Sequence, residues 1–262
     1  MIQSIHEAGF SPLIYDVSFF VSLLVATIAA FFFAKRLKIK RGTAVLCVPF
    51  VWLFSYLCAC LVMYAETDFS IFDCGYNIKC FVFIPVAVWV FSRVFKLPFT
   101  FTSDLIAPLF CIQHGIANIG CIFYGCCYGY PSESGIYSPL TRDLRFPVQV
   151  VEMLFSFFVA TVIFIVIRKK LYNTGGVALF LSLAIFAVGR FFIEFMKDSN
   201  GHILGFLHPL QLHMLFLLTV CLISLAYIYA LNKEKEAKQH TKKKSNGKRE
   251  KSNYPLDKTV KR

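Results

Sequence analysis

YDVSFFVSLLVATIAAFFFAKRLKIKR, residues 15–41, decides the fold class. Residues 15–34 hold a single charged side chain, Asp16, at their very start. About 20 apolar residues in helical form cross the hydrocarbon core of a bilayer. Continuous rather than alternating apolarity predicts a helix, not a strand of a barrel. Lys35, Arg36, Lys38, Lys40 and Arg41 follow at once, and no basic stretch precedes the run. That order predicts a first membrane span rather than a cleavable signal peptide.

Six more runs of the same kind follow, at roughly 43–64, 78–95, 104–124, 148–167, 175–196 and 209–230. The run at 78–95 is the weakest, with Pro85 in its middle, but proline is tolerated in membrane helices. Charged residues make up only 16% of the chain, too few to cover a soluble fold of 262 residues. The sequence thus predicts an all-α polytopic membrane protein with about seven transmembrane helices. Residues 1–232 form its membrane domain. Residues 233–262 form a basic, unstructured tail with twelve Lys/Arg and four Asp/Glu. The tail lacks interleaved aromatic residues, so its expected partner is anionic lipid and not nucleic acid.

The connections assign orientation. Basic residues follow the first span, the third (Arg93, Lys96), the fifth (Arg168, Lys169, Lys170) and the seventh. With an odd number of spans these segments share one side. Glu7, Asp16, Glu66, Asp68 and Asp73 lie on the other. The positive-inside rule then places the N-terminus outside and the C-terminus in the cytoplasm.

Polar residues inside spans mark candidate function. In GRFFIEF, residues 189–195, Arg190 and Glu194 are four apart on one helix face, with Lys197 on the next part of the turn. They are either a structural ion pair or an anion site, for which a guanidinium is well shaped. His114, Asn118 and Cys121 form a polar stripe beside Gln113 toward the outer end of the fourth span. GCIFYGCCYGYPS, residues 120–132, then breaks the helix. RFPVQVVE, 145–152, opens the fifth span with Arg145, Gln149 and Glu152, and HPLQLH, 208–213, opens the seventh with Gln211. Polar residues from four spans therefore meet at one membrane face. Of the ten Cys, Cys47, Cys58, Cys60, Cys74, Cys80, Cys111 and Cys221 lie in or beside apolar runs and read as packing. Cys121, Cys126 and Cys127 do not follow a standard zinc spacing. No metal is assigned to them; a disulfide or a packed thiol cluster is the reading.

These segments together resemble the prolipoprotein diacylglyceryl transferase family over most of 10–230. NIGCIFYGCCYGYPS, 118–132, is similar to the family signature in a divergent, Cys-containing form. RFPVQVVE, GRFFIEFMKD and HPLQL resemble three further family segments. The resemblance implies transfer of the diacylglyceryl group of phosphatidylglycerol, or another anionic phospholipid, to a Cys thiol in a lipoprotein signal-peptide segment, with no cofactor. It implies a multi-pass protein of a bacterial-type plasma membrane. Arg190, Glu194 and His114 are the implied catalytic residues, and Asn118, Cys121, Gly125, Gly129, Arg145, Gln149, Glu152 and Gln211 the implied substrate-binding ones. The chain departs from the family in four places. Asn118 stands where the signature has Arg, Cys121 where it has Asn, and Cys126 where it has Glu. The His-Gly-Gly motif is absent, with Lys79 near its His position. Tyr15 is a poor local match for a family Tyr. Arg142 or Arg145 would replace the missing cation and His114 the missing His. Two alternatives stay open: a related transferase with another acceptor, or a non-catalytic lipid-binding or assembly protein.

Overall fold

A computed structural model describes residues 10–37, 39–66, 80–138, 140–169, 175–198 and 207–252. Among these residues there are seven α-helices: α1 (Phe10–Ala34), α2 (Arg41–Glu66), α3 (Cys80–Val94), α4 (Phe99–Tyr124), α5 (Val148–Arg168), α6 (Val177–Ile193) and α7 (Pro209–Ser252). The chain of α6 tightens into a 3₁₀ turn over Glu194–Met196. A small antiparallel hairpin, β1 (Pro131–Ser138) and β2 (Asp143–Arg145), lies between α4 and α5, with Tyr137 opposite Leu144 and Ser138 opposite Asp143. Glu7, Asp68, Asp73, Cys74, Lys79 and Lys170 lie outside the described residues.

Six helices hold apolar stretches of 20 to 26 residues, long enough to cross a bilayer. α3 is apolar but shorter, at 15 residues. Large apolar side chains point away from the bundle along these helices: Phe20 and Phe32 on α1, Leu53 on α2, Phe158 on α5, Phe192 on α6 and Ile223 on α7. So much outward apolar surface suits lipid as solvent and not water. The protein is an all-α polytopic membrane protein.

α4 is the central helix, flanked by α1 and α5 and touching α2, α3 and α6. Its polar residues are therefore interior ones. Thr102, Ser103, Asp104, Gln113, His114 and Asn118 are all buried. This explains why α4 begins at Phe99 rather than near 104. Thr102 and Ser103 look like the end of a loop in sequence, but the Thr102 hydroxyl bonds Ser92 of α3, so the polar turn is inside the bundle. Pro98, extended at φ −61 and ψ 130, supplies the break before it.

α7 does not stop where the basic segment starts. Its backbone stays helical to Ser252, beyond the composition boundary at 232, where an unstructured tail was expected. Lys, Glu, Gln and Ala, which dominate 233–244, are good helix formers. Residues 253–262 of that segment lie outside the described residues.

Candidate functional site

The site starts where α4 ends. Gly125 adopts a left-handed conformation (φ 81) that a side chain would resist, and its N–H closes the helix on the Cys121 carbonyl at 2.9 Å. The chain then doubles back. Gln149 of α5 donates from Nε2 to the Cys126 carbonyl at 2.6 Å, and Ser138 donates to the Gly125 carbonyl at 3.1 Å. Gly129 pairs with Phe146 (N–H to carbonyl, 3.0 Å) and bridges to Lys197. A Cβ on Gly129 would lie 2.8 Å from the Met196 carbonyl oxygen and 2.9 Å from that of Phe146. Only a residue without a side chain lets these three backbones meet. The signature loop thereby fixes the position of Lys197.

A buried cluster of four charges lies beside this loop. Arg190 on α6 forms an ion pair through Nη1 with Glu152 on α5, and its other terminal nitrogen lies 3.7 Å from Glu194. Lys197 Nζ reaches both carboxylates, at 2.9 Å from Glu152 and 3.3 Å from Glu194. His208, just before α7, places Nδ1 3.2 Å from Glu194. Arg190, Glu152, Glu194 and Lys197 are 2–8% exposed, so none of these charges is dispersed in water. Burial, and then the Arg190 charge, lowers the pKa of Lys197. Two cations facing two carboxylates balance overall, which is what allows such a group to be buried.

His114 lies deeper, with its ring edge-on to Phe81 and Phe186 at centroid distances of 5.3 and 5.0 Å. Ser156 donates its only proton to the Glu152 carbonyl at 2.7 Å. Its oxygen also lies 2.8 Å from His114 Nδ1. His114 and Glu152 are therefore linked through one serine. The Asn118 side-chain nitrogen also lies 3.3 Å from His114 Nδ1. Asn118 turns its amide back along α4, donating to the His114 carbonyl at 2.9 Å.

The sequence-predicted residues divide into groups. Arg190, Glu194 and Glu152 come together, but the main partner of Arg190 is Glu152 on another helix and not the neighbour four residues on. Gln149 and Gln211 serve the backbone: Gln211 accepts from the His208 N–H at 2.8 Å and donates to the Phe191 carbonyl at 3.2 Å. Arg145 stands apart from the four-charge cluster. It bonds Asp143 at 2.8 Å and also Asp198, and its guanidinium lies over the Tyr128 ring. These carboxylates raise the Arg145 pKa, and its hydrogen bond in turn lowers that of Asp143. Arg142 is exposed. Tyr15 packs against Tyr124 at 5.5 Å. Gln113 is fully buried, and its side-chain amide has no hydrogen-bond partner among the described residues. Sequence reasoning set Lys197 beside Arg190 and Glu194 without giving it a role in the site, and it missed His208 as a member of the cluster.

A family model described as prolipoprotein diacylglyceryl transferase matches residues 9–231. Phosphatidylglycerol–prolipoprotein diacylglyceryl transferase 2 of Clostridium perfringens is 28% identical over 144 residues, 52% of this chain and 54% of that protein. The phosphatidylglycerol–prolipoprotein diacylglyceryl transferase of Chlorobaculum tepidum is 34% identical over 47% of this chain and 43% of its own length. That of Dehalococcoides mccartyi is 27% identical over 60% and 61% respectively. The chain spans about half the length of the relatives it matches.

Proposed function

Because the chain belongs to the prolipoprotein diacylglyceryl transferase family, we propose that it moves the diacylglyceryl group of phosphatidylglycerol, or of another anionic phospholipid, to the Cys thiol of a lipoprotein signal-peptide segment. The observation that carries this reading is the buried cluster of Arg190, Lys197, Glu152 and Glu194. In such a transfer the acceptor sulfur attacks the glyceryl carbon, and the carbon–oxygen bond to phosphate breaks. The electron pair leaves on glycerol 1-phosphate, so the phosphoryl group gains a negative charge as the bond breaks. Arg190 and Lys197 are the cations in reach of that charge, held in advance by the two carboxylates. Preorganised donors in a site poor in water are worth more than the same donors in water. His114 is the proposed acceptor of the thiol proton.

On this reading the site faces the outer leaflet, and Arg36, Arg93 and Arg168 mark the cytoplasmic end of the bundle. The membrane is the plasma membrane of a bacterial-type cell, and residues 233–262 form a basic cytoplasmic segment drawn to anionic headgroups. Lipid and peptide reach the site laterally from the bilayer. One observation favours a second reading, a transferase with a different acceptor or a lipid-binding protein: Asn118 replaces the signature Arg and spends its amide on His114. Complementation separates them. Expression in a strain depleted of its own transferase should restore growth and lipoprotein maturation. Normal insertion without either would support the second reading.

A further inference from the structure

The thiols of Cys121, Cys126 and Cys127 take no part in the mechanism above, yet they converge. Their three sulfurs lie within 4.8 Å of one another. Three thiolates around one ion at about 2.3 Å sit roughly 3.8–4.0 Å apart, so a contraction of about 1 Å or less completes a three-sulfur site. The sequence spacing hides this, because adjacent Cys residues in regular backbone point apart. Here the left-handed Gly125 reverses the chain, and Cys127 itself has φ 58, a conformation uncommon without glycine. Gln149 and Ser138 pin the carbonyls on either side of the reversal. Cys126 and Cys127 are thereby returned over Cys121, one helical turn back. Cys121 is buried, Cys126 half-buried and Cys127 exposed, so the trio opens outward from the bundle.

We propose that Cys121, Cys126 and Cys127 hold a thiophilic divalent cation of the zinc class, with a fourth position that takes the acceptor thiol. The second half of the proposal rests on the transferase reading. Three thiolates and a dication carry one net negative charge, and Arg190 and Lys197 are close enough to Cys127 to act on it electrostatically. Three protein ligands and one open position are the arrangement of a catalytic zinc site, whereas a structural one is closed by four. A thiol bound to such an ion is deprotonated outright. Its proton goes to solvent or a nearby base, and its sulfur attacks the glyceryl carbon. The carbon–oxygen bond breaks with its electron pair on glycerol 1-phosphate, and the thioether product, a weaker ligand, leaves the ion. A disulfide is the competing fate of the trio. It suits Cys121 with one of the others, because neighbouring Cα atoms about 3.8 Å apart lie closer than the roughly 4.4–6.8 Å that disulfides favour.

The test uses the purified full-length protein in detergent, reduced, stripped with a chelator and titrated with Co²⁺. We expect one Co²⁺ per chain, a sulfur-to-cobalt charge-transfer band, tetrahedral visible bands, and displacement by one equivalent of Zn²⁺. Cys121→Ser, Cys126→Ser and Cys127→Ser should each weaken binding by more than the ~10–100-fold that loss of a ligand's neighbour costs. Cys58→Ser, in another helix, should not. A Cys peptide should shift the visible bands and its Ser counterpart should not. Wild-type protein that gives only the pale spectrum of octahedral Co²⁺, or retains a disulfide after mild reduction, overturns the site whatever the variants do. Metal binding without diacylglyceryl transfer would sink the transferase reading and leave the site standing. Full-rate transfer by stripped protein would sink the fourth position.

Discussion

Arg190→Lys isolates what the guanidinium contributes beyond its charge. Arg190 touches Glu152 with one terminal nitrogen and approaches Glu194 with the other, at 3.7 Å. A lysine at 190 offers one nitrogen in place of the two that Arg190 directs at separate carboxylates. Lys197 already lies 2.9 and 3.3 Å from the same carboxylates, so neither would be left without a cation. The stability cost is then that of lost hydrogen bonds to charged groups, about 1.5–3 kcal/mol. Arg190→Ala removes the charge as well and should cost about 3–5 kcal/mol, the range for breaking a buried pair. Activity should respond differently from stability. Loss of one preorganised donor to the departing phosphate costs about 3–4 kcal/mol of barrier, or ~100–1000-fold in rate. Transfer of labelled diacylglyceryl from phosphatidylglycerol to a lipobox peptide, with both proteins in nanodiscs below their unfolding temperatures, reads this directly. A Lys variant that folds and keeps the wild-type rate would refute the contribution of the Arg190 guanidinium to the departing phosphate.

Four further outcomes follow from the same structure. Asn118→Arg places a long cation at a position only 3% exposed and should lower stability by about 1–3 kcal/mol and reduce transfer, as measured by thermal unfolding and the same assay. Gly129→Ala, whose Cβ meets two backbone oxygens below 3.0 Å, should be destabilised, whereas Gly42→Ala, with nothing within 4 Å, should unfold like wild type. The Asp143 carboxyl is held below its ordinary 3.8 by Arg145 and then Thr141, so its stabilisation is complete above pH 3.8 and is lost as pH falls through the lower folded value. Hydrogen exchange across 131–145 should show that acid step, and Arg145→Gln should flatten it. A thiol at Ser134→Cys should react with a membrane-impermeant reagent added from outside and one at Ser245→Cys should not; the reverse pattern would invert the orientation.

Much of the architecture was legible because each span is a long apolar run between charged ends. The α5 helix, expected at 148–167, is found at 148–168. The start of α4 was not legible, since composition alone does not separate a polar loop from the buried polar turn at Thr102–Asp104. Neither was the hairpin at 131–145, whose pairing depends on turns at Gly125 and Arg142 rather than on alternating apolar residues. Within the site, Arg190 and Glu194 declared themselves by spacing along one helix. The stronger link from Arg190 to Glu152 joins residues on α6 and α5, and that of Arg145 to Asp198 is longer still; helical spacing carries no information about either. Cys121, Cys126 and Cys127 were legible as a group from their common segment, whereas their convergence depends on the reversal at Gly125, which spacing does not show.

The most direct measurement is of the wild type alone. Full-length protein in nanodiscs containing phosphatidylglycerol is given a lipobox peptide with its Cys, or the same peptide with Ser. Mass spectrometry should show a diacylglyceryl thioether on the Cys peptide only, with one glycerol 1-phosphate released per peptide modified. Unmodified Cys peptide and no glycerol 1-phosphate, across anionic phospholipids and with a related transferase active in parallel, would contradict the transferase reading.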